Sequence, residues 1–212
     1  MSRLLDRGLE QLTTILLRMG DMAEKTIRIA VTGFMNDTEV SEEIRELSEA
    51  LLAMTVSVED KAFELMVKYQ PVASDLRIIN SYMKIAYDFE RYGRYALDIT
   101  LTQQRFGASQ KCAYSRDLME KMSEKAVLMV HTSVEALRSN DGEMAKSLAT
   151  TENEVDVIYS DYLDKLSKAP PGTKCIVSTA LVVKYLERIA DHATYVGESI
   201  YYIATGQKIL LR

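Results

Sequence analysis

At 212 residues, 47% hydrophobic and 27% charged, the chain has room for one sizeable core or two small ones and is neither disordered nor fibrous in composition. A net charge of −5, with no basic run and no basic stripe interleaved with aromatics, excludes the Lys/Arg-driven electrostatics of nonspecific nucleic-acid binding. No stretch approaches the roughly 18 apolar residues of a membrane span, and the charged run from Met1 to Arg7 lacks a signal peptide's apolar core. A soluble cytoplasmic protein without membrane insertion is expected.

Apolar residues recur with the helical period almost throughout. A first helix is predicted from about Leu4 to Phe34. Asn36-Asp37-Thr38-Glu39 reads as a turn and N-cap, with Glu39 placed for a capping box. The second helix runs to about Tyr69, where Gln70-Pro71 stops it because proline has no N–H to donate. Ser74 is the expected cap of a third helix, with Asp75 at the positive end of its dipole and Ile78, Tyr82, Ile85, Phe89, Tyr92 and Ala96 on one face. Arg105 to Ser109 forms the mid-chain linker. A fourth helix follows from about Tyr114 to Arg138, then a turn at Asn140-Asp141-Gly142-Glu143. The fifth helix extends to about Ser167, Ala169 to Gly172 break it, and the sixth runs to about Thr205. Cys112 and Cys175 lack metal-ligand spacing and read as small buried hydrophobes. Tyr195, Tyr201 and Tyr202 suit an interface or packing against neighbouring helices.

The second half repeats the first. Met19 to Lys25 matches Met119 to Lys125, the Asn-Asp-x-Glu turn occurs at Asn36 and Asn140, and Phe89 to Ala96 matches Leu186 to Ala193. The copies are separated by 100, 104 and 97 residues, so the spacing drifts by close to whole helical turns and side-chain direction is kept. The expected fold is all-α, with two tandem three-helix units, 1–106 and 110–212, forming a pseudo-twofold helical bundle.

Glu152 and Asp156 stand four apart on the fifth helix, and Glu187 and Asp191 four apart on the sixth, so each pair points one way. If those helices are neighbours in register, four carboxylates converge. Oxygen donors suit hard cations such as Mg²⁺, Ca²⁺, Mn²⁺ or Fe³⁺. Val182, Leu186, Ile189, Ala193, Val196 and Ile200 form the sixth helix's apolar face. Glu187 and Asp191 lie roughly opposite, which puts any metal at the surface or an interface. The plain alternative is a solvated polar face with Lys184 and Arg188 neutralising the acids. In the first repeat the same positions are Thr55, Glu59, Glu90 and Arg94. Two carboxylates are lost there, and Arg94 is placed to pair with Glu59 and Glu90 in a cation's stead. The second repeat is therefore expected to bind metal better.

The run Gln70-Pro71-Val72-Ala73-Ser74-Asp75-Leu76-Arg77, followed by Asp88-Phe89-Glu90-Arg91-Tyr92-Gly93, resembles the PhoU family's Gln-Pro-Val-Ala-x-Asp-Leu-Arg signature and its later Asp-Leu-Glu-Arg-Ile-Gly-Asp. Glu187-Arg188-Ile189-Ala190-Asp191 resembles the second-repeat form, and the likeness spans nearly the whole chain. It implies two three-helix bundles, metal (Fe, Mn, Mg, Zn or Ca) on Glu/Asp-x-x-x-Asp motifs, and repression of phosphate-responsive signalling. Its implied partners are a phosphate ABC transporter's ATPase and a membrane sensor kinase. Carried onto this chain, the ligands fall on Glu152, Asp156, Glu187 and Asp191, with only Glu59 and Glu90 matching in the first repeat. No Gly-rich phosphate loop and no Cys–His or Ser–His–Asp arrangement is evident, so a non-enzymatic regulator, with a homodimer among its associations, is the expectation. A metal-binding bundle with a phosphohydrolase or metal-storage role, and a dimerisation module related by fold alone, remain alternatives.

Overall fold

Six α-helices follow one another among the described residues: α1 (Leu4–Asn36), α2 (Ser41–Tyr69), α3 (Ser74–Phe106), α4 (Arg116–Ser139), α5 (Gly142–Ser167) and α6 (Lys174–Thr205). The computed structural model describes residues 4–107, 116–168 and 174–212, without the side chains at 167 and 175. The expected break at Ala169 to Gly172, the start near Tyr114, the last two linker residues and both cysteine side chains lie outside the described residues.

Each helix is held by a buried seam. On α1 the buried Leu5, Leu12, Leu16, Met19, Ala23, Ile27, Ala30 and Phe34 recur within the spacing that keeps side chains on one face. On α2 the buried Ile44, Ser48, Leu51, Thr55, Val58, Ala62 and Leu65 alternate steps of four and three, the pattern of a knobs-into-holes stripe. Burying one leucine or isoleucine contributes about 1.5–3 kcal/mol, so these seams, more than helix propensity, fix the helices in place.

The helix ends depart from the sequence expectation in three places, one being the linker, whose Arg105 and Phe106 still belong to α3. Helix α1 continues through Asn36, and Asp37, at φ 55°, makes the turn. Val40, not Asn36, holds the cap position of α2 without a side-chain bond, and Glu39 before it accepts the Ser41 N–H at 2.9 Å and the Ser41 hydroxyl. Ser74 is the first residue of α3 instead of its cap, and Ala73, at φ 48°, holds the cap position without a side-chain bond. By contrast Asp141 caps α5, its Oδ1 accepting from the Glu143 and Met144 N–H groups at 2.9 and 3.0 Å.

Helices α1–α3 form one three-helix unit and α4–α6 the other. The units join chiefly through α3 against α6, with α1 touching α4. There Asp88 pairs with His192 at 2.8 Å, while the positions 97 residues from each, Tyr185 and Tyr95, stack at 6.3 Å. The two contacts are exchanges of the same pair of positions, as a twofold relation requires. The result is an all-α, pseudo-twofold bundle of two tandem units, with α2 and α5 on the flanks away from the junction.

Candidate functional site

The Asp141 cap sets the phase of α5, and that phase puts Ala145, Leu148, Glu152, Val155 and Tyr162 on its buried side. Glu152 thus occupies a core position between Leu148 and Val155 and is only 2% exposed. This corrects the expectation of a site confined to the surface or an interface, outside the bundle core. The i, i+4 pairing drew attention to Asp156, which is exposed, whereas the 148–152–155 spacing places Glu152 in the seam.

On α6 the apolar face from Val182 to Ile200 is buried. Glu187 and Asp191 lie at its border, each with a side chain 13% exposed. Lys184 Nζ donates to Glu187 Oε2 at 2.8 Å and Arg188 Nη1 to Asp191 Oδ2 at 2.5 Å, so the neutralisation by basic neighbours is present. Glu152 has no such partner, and its Oε2 is buried without a hydrogen bond. Burial, then repulsion from Asp191, Asp156 and Glu187, then hydrogen bonding toward Asp191 push its carboxyl up to about 8. Glu152 therefore senses the other three acids across the α5–α6 seam. Among the described residues, no three His, Cys, Asp or Glu groups stand preformed around one metal position; the cluster is brought together but not arranged for ligation, because Lys184 and Arg188 hold two of its members.

The corresponding place in the first unit is closed. Thr55, 7% exposed, occupies the seam position of Glu152, and its hydroxyl faces the carbonyls of Leu51 at 3.1 Å and Ala86 at 3.3 Å. Glu59 and Arg94 are exposed and Glu90 half-buried. The expected pairing of Arg94 with Glu59 and Glu90 is absent among the described residues. Arg94 instead acts on Asp98, whose carboxyl burial raises and Arg94 opposes.

The Asp88–His192 pair gave no signal in the sequence, since its members lie 104 residues apart. Both side chains are nearly enclosed, at 7% and 6% exposure. Burial raises the Asp88 carboxyl and the His192 hydrogen bond opposes the rise. The other histidine, His131, meets Glu24 at 3.1 Å across α4 and α1. Neither histidine bonds to the carboxylate cluster.

Comparison with known proteins adds the following. The family model described as "PhoU domain" matches residues 16–101 and again 119–200. A phosphate-specific transport system accessory protein PhoU homolog from Clostridium acetobutylicum is 30% identical, covering 98% of this chain and 97% of the relative. One of the same description from Pseudomonas putida is 27% identical over 95% of this chain and 80% of the relative. The crystal structure of PhoU from Pseudomonas aeruginosa superimposes with a TM-score of 0.88 at 24% identity, covering 95% of this chain and 99% of that one. The phosphate transport system regulatory protein PhoU from Streptococcus pneumoniae gives 0.84 at 21% identity, over 97% and 99%.

Proposed function

The chain belongs to the PhoU domain family, and we propose that it is a cytoplasmic accessory protein of phosphate-specific transport that works by binding other proteins and carries a hard cation on its second unit. Its partners on this reading are the ATPase of a phosphate ABC transporter and a membrane sensor kinase. The transport role is supported by relatives so described that align over nearly its whole length. No helix among the described residues is long and apolar enough to cross a membrane.

The single observation that carries the cation is the buried, unpartnered Oε2 of Glu152 facing Asp191, Asp156 and Glu187. Four carboxylates against the two charges of Lys184 and Arg188 leave about two negative charges to be neutralised at the seam, by a proton on Glu152 or by a cation. All donors are oxygens, which fits Mg²⁺, Ca²⁺, Mn²⁺ or iron. Glu152, Asp156, Glu187 and Asp191 would hold the ion once Glu187 and Asp191 turn from their basic partners. It would supply fixed positive charge there. Thr55 is neutral and satisfied, so the first unit lacks this demand.

Three measurements test the reading. Elemental analysis of purified protein should find metal that a Glu187→Ala/Asp191→Ala variant loses; wild type that stays metal-free after loading removes the cation from the proposal. A deletion strain should lose phosphate repression of a reporter, and affinity capture should recover the transporter ATPase or the kinase. Normal repression with neither partner captured sinks the regulatory role.

A further inference from the structure

A cleft of about 720 Å³ lies between α3, α6 and the segment 206–212, within the roughly 300–1,000 Å³ of small-molecule sites. The segment reaches it because Gly206, at φ 75°, turns the chain back after α6. Leu211 is then buried, 4% exposed, beside Gly197, where a Cβ would stand 3.1 Å from the leucine. The Leu211 N–H donates to Glu198 Oε1 at 3.1 Å, and Arg212 Nη1 donates to the Tyr195 hydroxyl at 2.6 Å. These contacts hold Lys208 at the cleft wall.

The polar groups of the cleft divide into two sets. Its acids are already engaged: Asp88 with His192, Glu198 with the Leu211 N–H. Asn80, Lys84 and Tyr87, by contrast, stand at i, i+4 and i+7 on the exposed side of α3, and no hydrogen bond or ion pair joins them to any described residue. Lys208 likewise has no carboxylate partner, only the Tyr202 ring at 5.8 Å. What the cleft offers is two ammonium groups outside any ion pair, of which Lys84 also acts on the Asp88 carboxyl, an amide and a phenol ring 53% exposed.

We propose that this cleft binds a nucleotide, a planar heterocycle carrying a phosphate. The charges of Lys84 and Lys208 match the −1.5 to −2 of a phosphomonoester, Tyr87 gives the base a face to stack on, and the Asn80 amide serves sugar or base hydroxyl and carbonyl groups. None of the carboxylates assigned to the cation lines this cleft, so the two sites are separable.

Isothermal titration of the full chain with AMP, GMP, adenosine and inorganic phosphate tests this. AMP or GMP should bind with a Kd below about 100 µM, and adenosine and phosphate alone at least about tenfold more weakly. Lys84→Ala with Lys208→Ala should weaken nucleotide binding at least about tenfold with thermal stability unchanged, because both side chains are exposed. Tyr87→Leu should weaken it as well, and the Glu187→Ala/Asp191→Ala variant should bind as wild type does. No binding of either nucleotide below about 1 mM overturns the proposal. Undiminished binding by the lysine double variant, or phosphate binding as tightly as AMP, overturns it too.

Discussion

Replacing Glu152 with glutamine keeps the side chain's shape and a donor toward Asp191 but removes its ionisation. In the folded chain the Glu152 carboxyl is pushed up to about 8, against roughly 4.3 for an unfolded glutamate. A carboxyl raised on folding favours the fold fully below the unfolded value, and that contribution is lost as pH rises toward the folded one. Metal-free wild type should therefore lose stability between about pH 4.5 and 8, relative to the variant, and stay level above. At about 1.4 kcal/mol per pH unit the full shift corresponds to roughly 5 kcal/mol, and water reaching the exposed Asp156 brings the expectation nearer 3. The assay is thermal unfolding in chelator from pH 5 to 9. Glu152→Gln should match wild type within about 1 kcal/mol at pH 5 and exceed it by about 3 at pH 8.5, or roughly 6–12 °C in Tm. A difference that does not change with pH refutes the reasoning, because it would mean that Glu152 ionises freely at its seam position.

Three further outcomes follow from the same geometry. Gly197→Ala puts a Cβ 2.8 Å from Leu148 Cδ1 and 3.0 Å from the Ala145 carbonyl oxygen, so denaturant unfolding should show a loss of about 1–3 kcal/mol. His192→Ala leaves Asp88 buried without its partner and should destabilise by about 3–5 kcal/mol at pH 7; a loss under 1 would show that water replaces the imidazole. Lys184→Met removes a positive charge 2.8 Å from Glu187 and should tighten Mn²⁺ binding by about two- to fivefold in a calorimetric titration, the modest size reflecting the exposure of Lys184; weaker binding would mean that the lysine orients Glu187 and does not compete for it.

Helix number and extent were legible because each seam is a local pattern that no other backbone geometry satisfies. The predicted α6 face from Val182 to Ile200 is buried throughout. Caps were less legible, since they depend on the dihedrals of one residue. Ala73 at φ 48° takes the cap position, so the serine that composition favours becomes the first residue of α3, and Glu39 reaches forward where Asn36 is still helical. Among the site residues, the neighbourhood of Glu152, Asp156, Glu187 and Asp191 followed from helix register. The burial of Glu152 was written in its spacing from Leu148 and Val155, but an acid in a seam runs against the usual rule that charge stays outside. Asp88 and His192 could not be paired from sequence, because the register of α3 on α6 is set by packing across the junction.

Thr55 and Glu152 are two answers to one structural position. The threonine closes it, since a short hydroxyl finds the Leu51 and Ala86 carbonyls and leaves no charge to neutralise. The glutamate leaves it open, since its carboxyl reaches past the seam into three other acids and one oxygen stays without a partner. The first unit is thus insensitive to what the solution supplies at this position, while the second is completed by a proton or, on the proposed reading, by a cation. That difference has a route to the junction. Arg188 holds Asp191 at 2.5 Å and also interacts with Tyr95 of α3, the ring that stacks on Tyr185 across the pseudo-twofold. On the proposed reading, a cation that drew Asp191 away would leave this guanidinium to Tyr95 alone, so occupancy of the second unit would act on a contact that belongs to both.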